Sequence, residues 1–209
     1  MEDSFVELAG MPIPNRLADA LEERGFIEPS GIQFQAIPKL LRGEHVVLDA
    51  PTGSGKTLAF LLPIMARLQP TVNLGAQVLI LVPTPELALQ IVREVRWLLD
   101  VCCGPTGMCW YNPQVPADIA CEVVLSRAAL WDVVRQDTSI CVSTPGLLLN
   151  EMNKLRVNSK RHQEAMGLWM GSNLDTVVLD EVDVMFQDGR LSRKTLAPRR
   201  LKANNGSQT

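Results

Sequence analysis

Short apolar runs alternate with amphipathic stretches along this chain, the pattern of a mostly parallel sheet flanked by helices. Four runs are rich in β-branched and aliphatic residues and short enough to be buried strands: His45 to Ala50 (HVVLDA), Gln77 to Val82 (QVLILV), Ser139 to Ser143 (SICVS) and Thr176 to Leu179 (TVVL). Thr106 to Trp110 is a weaker fifth. Apolar residues recur at helical spacing over Asn15 to Arg24, Gln33 to Leu41, Thr57 to Leu68, Glu86 to Leu99, Ser126 to Arg135 and Pro145 to Lys154, which predicts six helices between the strands. Pro63 falls inside the third helix and is expected to kink or shorten it, because proline lacks the N–H that the preceding turn would bind.

At 209 residues the chain has the length of one domain, and no internal repeat or low-complexity linker divides it. No apolar run approaches the ~20 residues of a membrane-spanning helix, so no membrane association is expected. The acidic opening Met1-Glu2-Asp3-Ser4 lacks the basic character of a secretory or transit leader, which predicts an intracellular address, nucleus or cytoplasm. Cys102, Cys103, Cys109, Cys121 and Cys141 contain no C-x-x-C pair, and only His45 and His162 are available to join them. Reduced thiols packed as small hydrophobes are expected, rather than a zinc site or disulfides. The segment Cys102 to Pro116, dense in Gly, Pro and Asn, predicts a surface loop.

The net charge of −3 hides an asymmetry. From Asp188 to Thr209 there are six basic residues and one acid, which leaves 14 basic against 22 acidic, or −8, for the body of the chain. So acidic a body offers no broad footprint for nucleic acid, and any such contact must be local. The basic tail, poor in apolar residues, is expected to be disordered and solvated.

The sharpest chemical signal is Ala50-Pro51-Thr52-Gly53-Ser54-Gly55-Lys56-Thr57, between an apolar run and a helix. A strand that delivers glycines to a helix N-terminus turns consecutive backbone N–H groups inward around a phosphate, and the helix dipole adds favourable charge. Gly53 and Gly55 permit the close approach. Lys56 is placed to reach the β- and γ-phosphates, and the Thr57 hydroxyl to ligate Mg²⁺. Ala50 stands where the general pattern has glycine. The second signal is the apolar run Thr176 to Leu179 ending in Asp180 and Glu181, which nothing apolar explains. In a parallel sheet the ligand crevice lies at the carboxyl ends of the strands. That rule places Asp180 beside the phosphate loop to hold Mg²⁺, with Glu181 orienting and deprotonating the attacking water.

Together these residues resemble the DEAD-box RNA helicases. Asp180-Glu181-Val182-Asp183 is similar to that family's namesake tetrapeptide, with Val in the third place, and APTGSGKT is similar to its phosphate loop. Upstream, Gly25-Phe26-Ile27-Glu28-Pro29-Ser30-Gly31-Ile32-Gln33 matches the family's adenine-reading motif, with Phe5 near its isolated aromatic. The resemblance implies a RecA-like P-loop NTPase fold for residues 1–187 with the basic tail at 188–209, adenine read by Gln33 and Phe26, and ATP with Mg²⁺ as nucleotide and metal. A glutamine amide both donates and accepts, which suits the adenine edge. Pro83-Thr84-Pro85-Glu86-Leu87-Ala88 resembles the family's PTRELA and Thr144-Pro145-Gly146-Leu147 its TPGR, which implies RNA contacts at Pro83, Thr84, Glu86, Thr144, Pro145 and Gly146. Pro85 and Leu147 stand where arginine is usual, so RNA binding is expected to be weakened. The family's Ser-Ala-Thr motif has no counterpart here, which leaves the coupling role of Asp183 open, and neither has its second lobe, whose arginines stabilise the transferring phosphoryl group, which predicts slow hydrolysis by this chain alone.

Two functions follow as expectations. The first is an ATP-binding and hydrolysing RNA helicase lobe, working as a monomer and coupling ATP to RNA binding and local unwinding. The second is a truncated or degenerate nucleotide-binding module that acts through protein partners or by competition. Trp97, Trp131 and Trp169 are expected to pack helices rather than stack on bases.

Overall fold

The computed structural model describes residues 5–69, 76–103, 120–124, 138–155 and 174–187. The expected strand at 106–110, the helix at 126–135, Trp131, Trp169 and the tail from 188 lie outside the described residues.

The chain opens with a β-hairpin that the sequence pattern did not predict. Strands β1 (Phe5–Leu8) and β2 (Met11–Pro14) pair antiparallel, with Leu8 opposite Met11. A two-residue turn joins them, and Ala9 and Gly10 both take positive φ there, 51° and 81°. That is the handedness a two-residue hairpin turn requires. Met11 and Ile13 point into the core beside Leu17 and Leu21 of helix α1 (Asn15–Glu23). The spacing of four residues puts those two leucines on one face. The helix ends in a Schellman arrangement: the Gly25 N–H donates to the Glu22 carbonyl and the Phe26 N–H to that of Leu21, with Gly25 at φ 84°.

Helix α2 (Gly31–Leu41) packs on α3 (Lys56–Arg67). Every residue of α3 from Leu58 to Ala66 is buried, as expected for a helix apolar on all sides. It runs through Pro63 to Arg67 without a break, so the expected shortening does not occur. Burial of each large side chain, at about 1.5–3 kcal/mol, outweighs the one backbone bond that proline forfeits.

The main sheet has four parallel strands in the order β4-β5-β3-β6. They are β3 (Val78–Leu81), β4 (Ala120–Val124), β5 (Thr138–Ser143) and β6 (Thr176–Leu179). Strand β4 had no counterpart among the predicted runs. Leu81, Ser143 and Leu179 stand level in register, so β3, β5 and β6 end together. Helix α4 (Pro85–Cys103) follows β3, α5 (Pro145–Leu155) follows β5, and the short α6 (Val182–Gln187) follows β6. One sheet face (Val78, Ile80, Ile140, Val142) joins α3 and α4 in the principal core, and the other (Leu79, Cys141) meets Leu148 of α5 in a smaller one. Cys141 is a buried free thiol, as expected for a small hydrophobe.

The run 45–50 corrects the strand expectation. Its side chains alternate, with Val46, Leu48 and Ala50 half-buried and Val47 and Asp49 exposed, yet among the described residues it pairs with no strand. Composition makes a segment competent to be a strand, but only a partner edge makes it one. Among the described residues the edge strand β6 bonds β3 alone. Among the described residues no helix is long and apolar enough to cross a membrane.

Candidate nucleotide and nucleic-acid site

The turn after residue 50 delivers Gly53 at φ 83° and Gly55 at φ 90°, and Gly55 caps α3. An L side chain is strained at either position. At Gly55 there is no room either, since an added Cβ would stand 2.5 Å from Gln33 Nε2. Pro51, Thr52 and Gly53 are exposed, and Ser54 to Thr57 are half-buried. The buried Ser54 Oγ has no hydrogen-bond partner, and the Thr57 hydroxyl makes no bond among the described residues. Lys56 donates through Nζ to the Ala50 carbonyl at 2.6 Å and lies 3.9 Å from Glu181 Oε1. The two sequence signals, which are over a hundred residues apart in the chain, therefore meet across one ammonium group.

Asp180 sits at the carboxyl end of β6, where its N–H still donates to Leu81. Burial pushes its carboxyl above the usual carboxylate range, and the neighbouring Glu181 charge pushes the same way. The Glu181 N–H, which donates to Asp180 Oδ1 at 3.1 Å, and the Lys56 charge oppose this without cancelling it. Glu181 itself takes φ 52°, the left-handed region, and its carbonyl opens α6 by accepting the N–H groups of Val184 and Met185. A non-glycine residue there carries about 1–2 kcal/mol of backbone strain, held in place by the strand on one side and the helix on the other.

Gln33 lies in the first turn of α2, 4% exposed. Its Oε1 accepts the Ser30 N–H at 2.9 Å, half of a capping box, and its Nε2 donates to the Gly55 carbonyl at 3.2 Å. The amide thus joins the expected adenine motif to the phosphate turn, and each end keeps one further hydrogen-bonding capacity. Phe26 is 43% exposed, an open apolar face. Phe5 pairs with Pro14 in the hairpin.

Pro83 and Thr84 follow β3, and Thr84 Oγ1 accepts the Leu87 N–H at 3.3 Å, which caps α4. Thr144, Pro145 and Gly146 follow β5, where the Thr144 carbonyl accepts from Leu148. Glu86 and Gly146 are exposed, and the space around Gly146 is open. Because the three strands end level, these residues occupy the same end of the sheet as Asp180 and Glu181. Leu147 is half-buried and packs on the smaller core. Trp97 packs on the principal core, with the Arg24 guanidinium 3.5 Å above its ring. Among the described residues no three His, Cys, Asp or Glu side chains converge on a metal position. One interaction escaped the sequence pattern: Arg67, at the far end of α3, donates to the Leu41 carbonyl and to Asp175, each at 3.4 Å.

A parallel sheet whose glycine-bearing turn opens a buried helix, facing acids at a neighbouring strand end, defines a P-loop nucleotide-binding domain of the RecA-like kind. The model of the DEAD/DEAH box helicase family matches residues 30–208, and the chain belongs to that family. It is 34% identical over 178 residues to the mouse protein named probable ATP-dependent RNA helicase DDX52, a match that covers 85% of this chain and 26% of that protein. It is 35% identical over 188 residues to the Escherichia coli (strain K12) ATP-dependent RNA helicase DeaD, covering 90% of this chain and 26% of the relative. Among solved structures, the RNA helicase Prp28 from Chaetomium thermophilum bound to ADP superposes with a TM-score of 0.63 at 30% identity, over 96% of this chain and 44% of that one. A DEAD box protein from Methanococcus jannaschii gives 0.61 at 24% identity, over 92% of this chain and 46% of that one, a likeness of fold. The chain thus spans about a quarter of the length of the curated relatives it matches.

Proposed function

We propose that this chain is the ATP-binding lobe of an ATP-dependent RNA helicase, which binds ATP at the 50–57 turn and couples its hydrolysis to RNA held at the same end of the sheet. The observation that carries the proposal is Lys56, bonded to the Ala50 carbonyl and 3.9 Å from Glu181, because one cation connects the phosphate turn to the acids. An incoming triphosphate competes with both partners for that ammonium, which moves to the β- and γ-phosphates as the inward N–H groups around Gly53 and Gly55 take the remaining oxygens. Gln33 reads the adenine edge through its free donor and acceptor, and Phe26 offers a stacking face.

The unpartnered Thr57 hydroxyl and the Asp180 carboxylate are the hard oxygen donors that suit Mg²⁺. When bound there, the ion would neutralise charge on the phosphate oxygens. Glu181 is the base: its carboxylate orients a water and accepts its proton as the γ-phosphoryl group is attacked. Thr84, Thr144 and the open backbone at Gly146 supply neutral donors to RNA phosphates, with no arginine at 85 or 147 to add charge.

ATP turnover with and without single-stranded RNA tests this. RNA should raise the rate, and Glu181→Gln should lower it by about 10²–10⁴-fold while ATP still binds. Turnover indifferent to both would refute the proposal.

A further inference from the structure

The tetrapeptide that ends β6 and opens α6 carries a second chemical message. Of the eleven aspartates in the chain, Asp183 alone has an acid three residues before it, Asp180, with Glu181 and Val182 between them. Drawn out as an extended chain, residues 180–183 present three carboxylates and one branched aliphatic group in a fixed order. Successive side chains of such a chain point to alternate sides, so Asp183 and Glu181 face one wall of a cleft and Val182 and Asp180 the other. An endopeptidase that takes its substrate as an added strand reads this order pocket by pocket, and a planar arginine fork in the pocket before the cut selects a carboxylate. Val182 is the letter at which the tetrapeptide departs from the family's, and it supplies the aliphatic group.

The local structure leaves this segment within reach. Val182, Asp183 and Val184 are exposed, and the Asp183 carboxylate makes no hydrogen bond or ion pair among the described residues. Helix α6 has six residues, too few to be stable by propensity. At its entry the Val184 and Met185 N–H groups donate to the Glu181 carbonyl at 3.1 and 3.2 Å, and Met185 is its buried anchor. Opening the helix breaks those two bonds and exposes Met185, but it also releases the left-handed backbone of Glu181 at φ 52°. That release favours the open form, which places α6 at the low-stability end of the molecule.

We propose that the Asp183–Val184 peptide bond is a cleavage site for an aspartate-directed endopeptidase, one whose pockets take a carboxylate at the residue before the cut and another three residues upstream of it. One water is consumed. The C–N bond breaks, the water oxygen joins the Asp183 carbonyl carbon to leave a carboxylate, and the Val184 nitrogen departs as an ammonium that takes both water protons. The cut parts Glu181 from both N–H groups that its carbonyl holds and from the buried Met185, so its left-handed backbone loses the support of α6. The acids at 180 and 181 then stand within three residues of a free chain end.

The test incubates the full chain with a purified executioner caspase, alongside the capped octapeptide of residues 180–187, and reads both by intact-mass spectrometry. Fragments 1–183 and 184–209 are expected from a single cut of the chain. Their rate of appearance should be about 10²–10⁴-fold below that of the peptide, because only the population with α6 open is cut. Asp183→Glu keeps the charge on an exposed side chain and lengthens it by one methylene, so it should slow the cut about 10–100-fold. The same change in the octapeptide, which has no fold to lose, should slow it to the same extent. Three results would overturn the proposal: a chain left uncut, whether or not the peptide is cut; first cleavage after another aspartate; or a cut at 183–184 that Asp183→Glu does not slow.

Discussion

Asp180 and Gly55 are the two residues at which this site departs most from the rest of the molecule. Burial and the Glu181 charge raise the Asp180 carboxyl above its ordinary 3.8, so the folded chain holds that proton more tightly than the unfolded one. A raised carboxyl stabilises the fold fully below the unfolded value, and the stabilisation is lost as pH rises through the folded value. At neutral pH Asp180 is therefore a cost, and Asp180→Asn should raise the Tm of the nucleotide-free chain at pH 7. The gain should shrink on acidification and vanish once both carboxyls are protonated; an increment that does not change with pH would contradict the assignment. Gly55 combines φ 90° with a Cβ position 2.5 Å from Gln33 Nε2, a side-chain end that cannot swing away cheaply because Gln33 is buried. Gly55→Ala should thus cost more than ~1 kcal/mol in a urea titration. Gln33→Ala opens the space, so the double variant should be less destabilised than the sum of the two, and strict additivity would show that the contact does not matter.

At the scale of elements, α1 and α4 are clasped by Arg24, which lies over the Trp97 ring at 3.5 Å and within 2.8 Å of Glu94. The pair is partly exposed, so Arg24→Ala should lower stability by only about 0.5–1.5 kcal/mol, and Arg24→Lys, which keeps the charge and loses the flat stack, should fall between. Equal stability of all three in denaturant would remove the clasp from the account. Elements like these two were legible because a helix carries its own period and its own ends: Leu17 and Leu21 mark a face and Gly25 marks a stop. Strands were legible only where a partner happened to exist. TVVL at 176–179 and HVVLDA at 45–50 share the run Val-Val-Leu, but the first pairs with β3 and the second pairs with no strand among the described residues. β4 was missed for the converse reason, since its pairing with β5 supplies what its own letters do not. Pro12 and Pro14 hid the hairpin, because proline inside a run argues against a strand except at an unpaired edge. In the site, the glycines, Lys56 and the two acids could be read from their order along the chain. The Lys56 bond to Ala50 and the Arg67 bond to Asp175 could not, because α3 has to fold before its two ends face anything.

For the molecule as a whole, electrostatics decides how the RNA of the proposed function would be held. An acidic body at −8 repels a polyanion at long range, so affinity must come from groups at the level ends of β3, β5 and β6. Two of those groups are neutral in this chain for different structural reasons. Pro85 is the first residue of α4 and exposed, a position where proline's missing N–H costs nothing and where a long side chain would project freely. Leu147, by contrast, is half-buried against Leu79, Cys141 and Leu148, so its apolar character serves the smaller core. Arginine at the two positions should therefore act differently. Each phosphate contact regained steepens the logarithmic salt dependence of single-strand binding by about 0.7. Pro85→Arg should show that gain with little change in Tm, whereas Leu147→Arg should add charge while lowering Tm through lost packing. With both, a fluorescence titration across salt should give tighter RNA binding and a slope steeper by about 1.4 than the native chain. If the native chain already matches the double variant in affinity and slope, phosphate charge at these strand ends does not govern RNA binding, and neutral donors such as Thr84, Thr144 and the Gly146 backbone carry it alone.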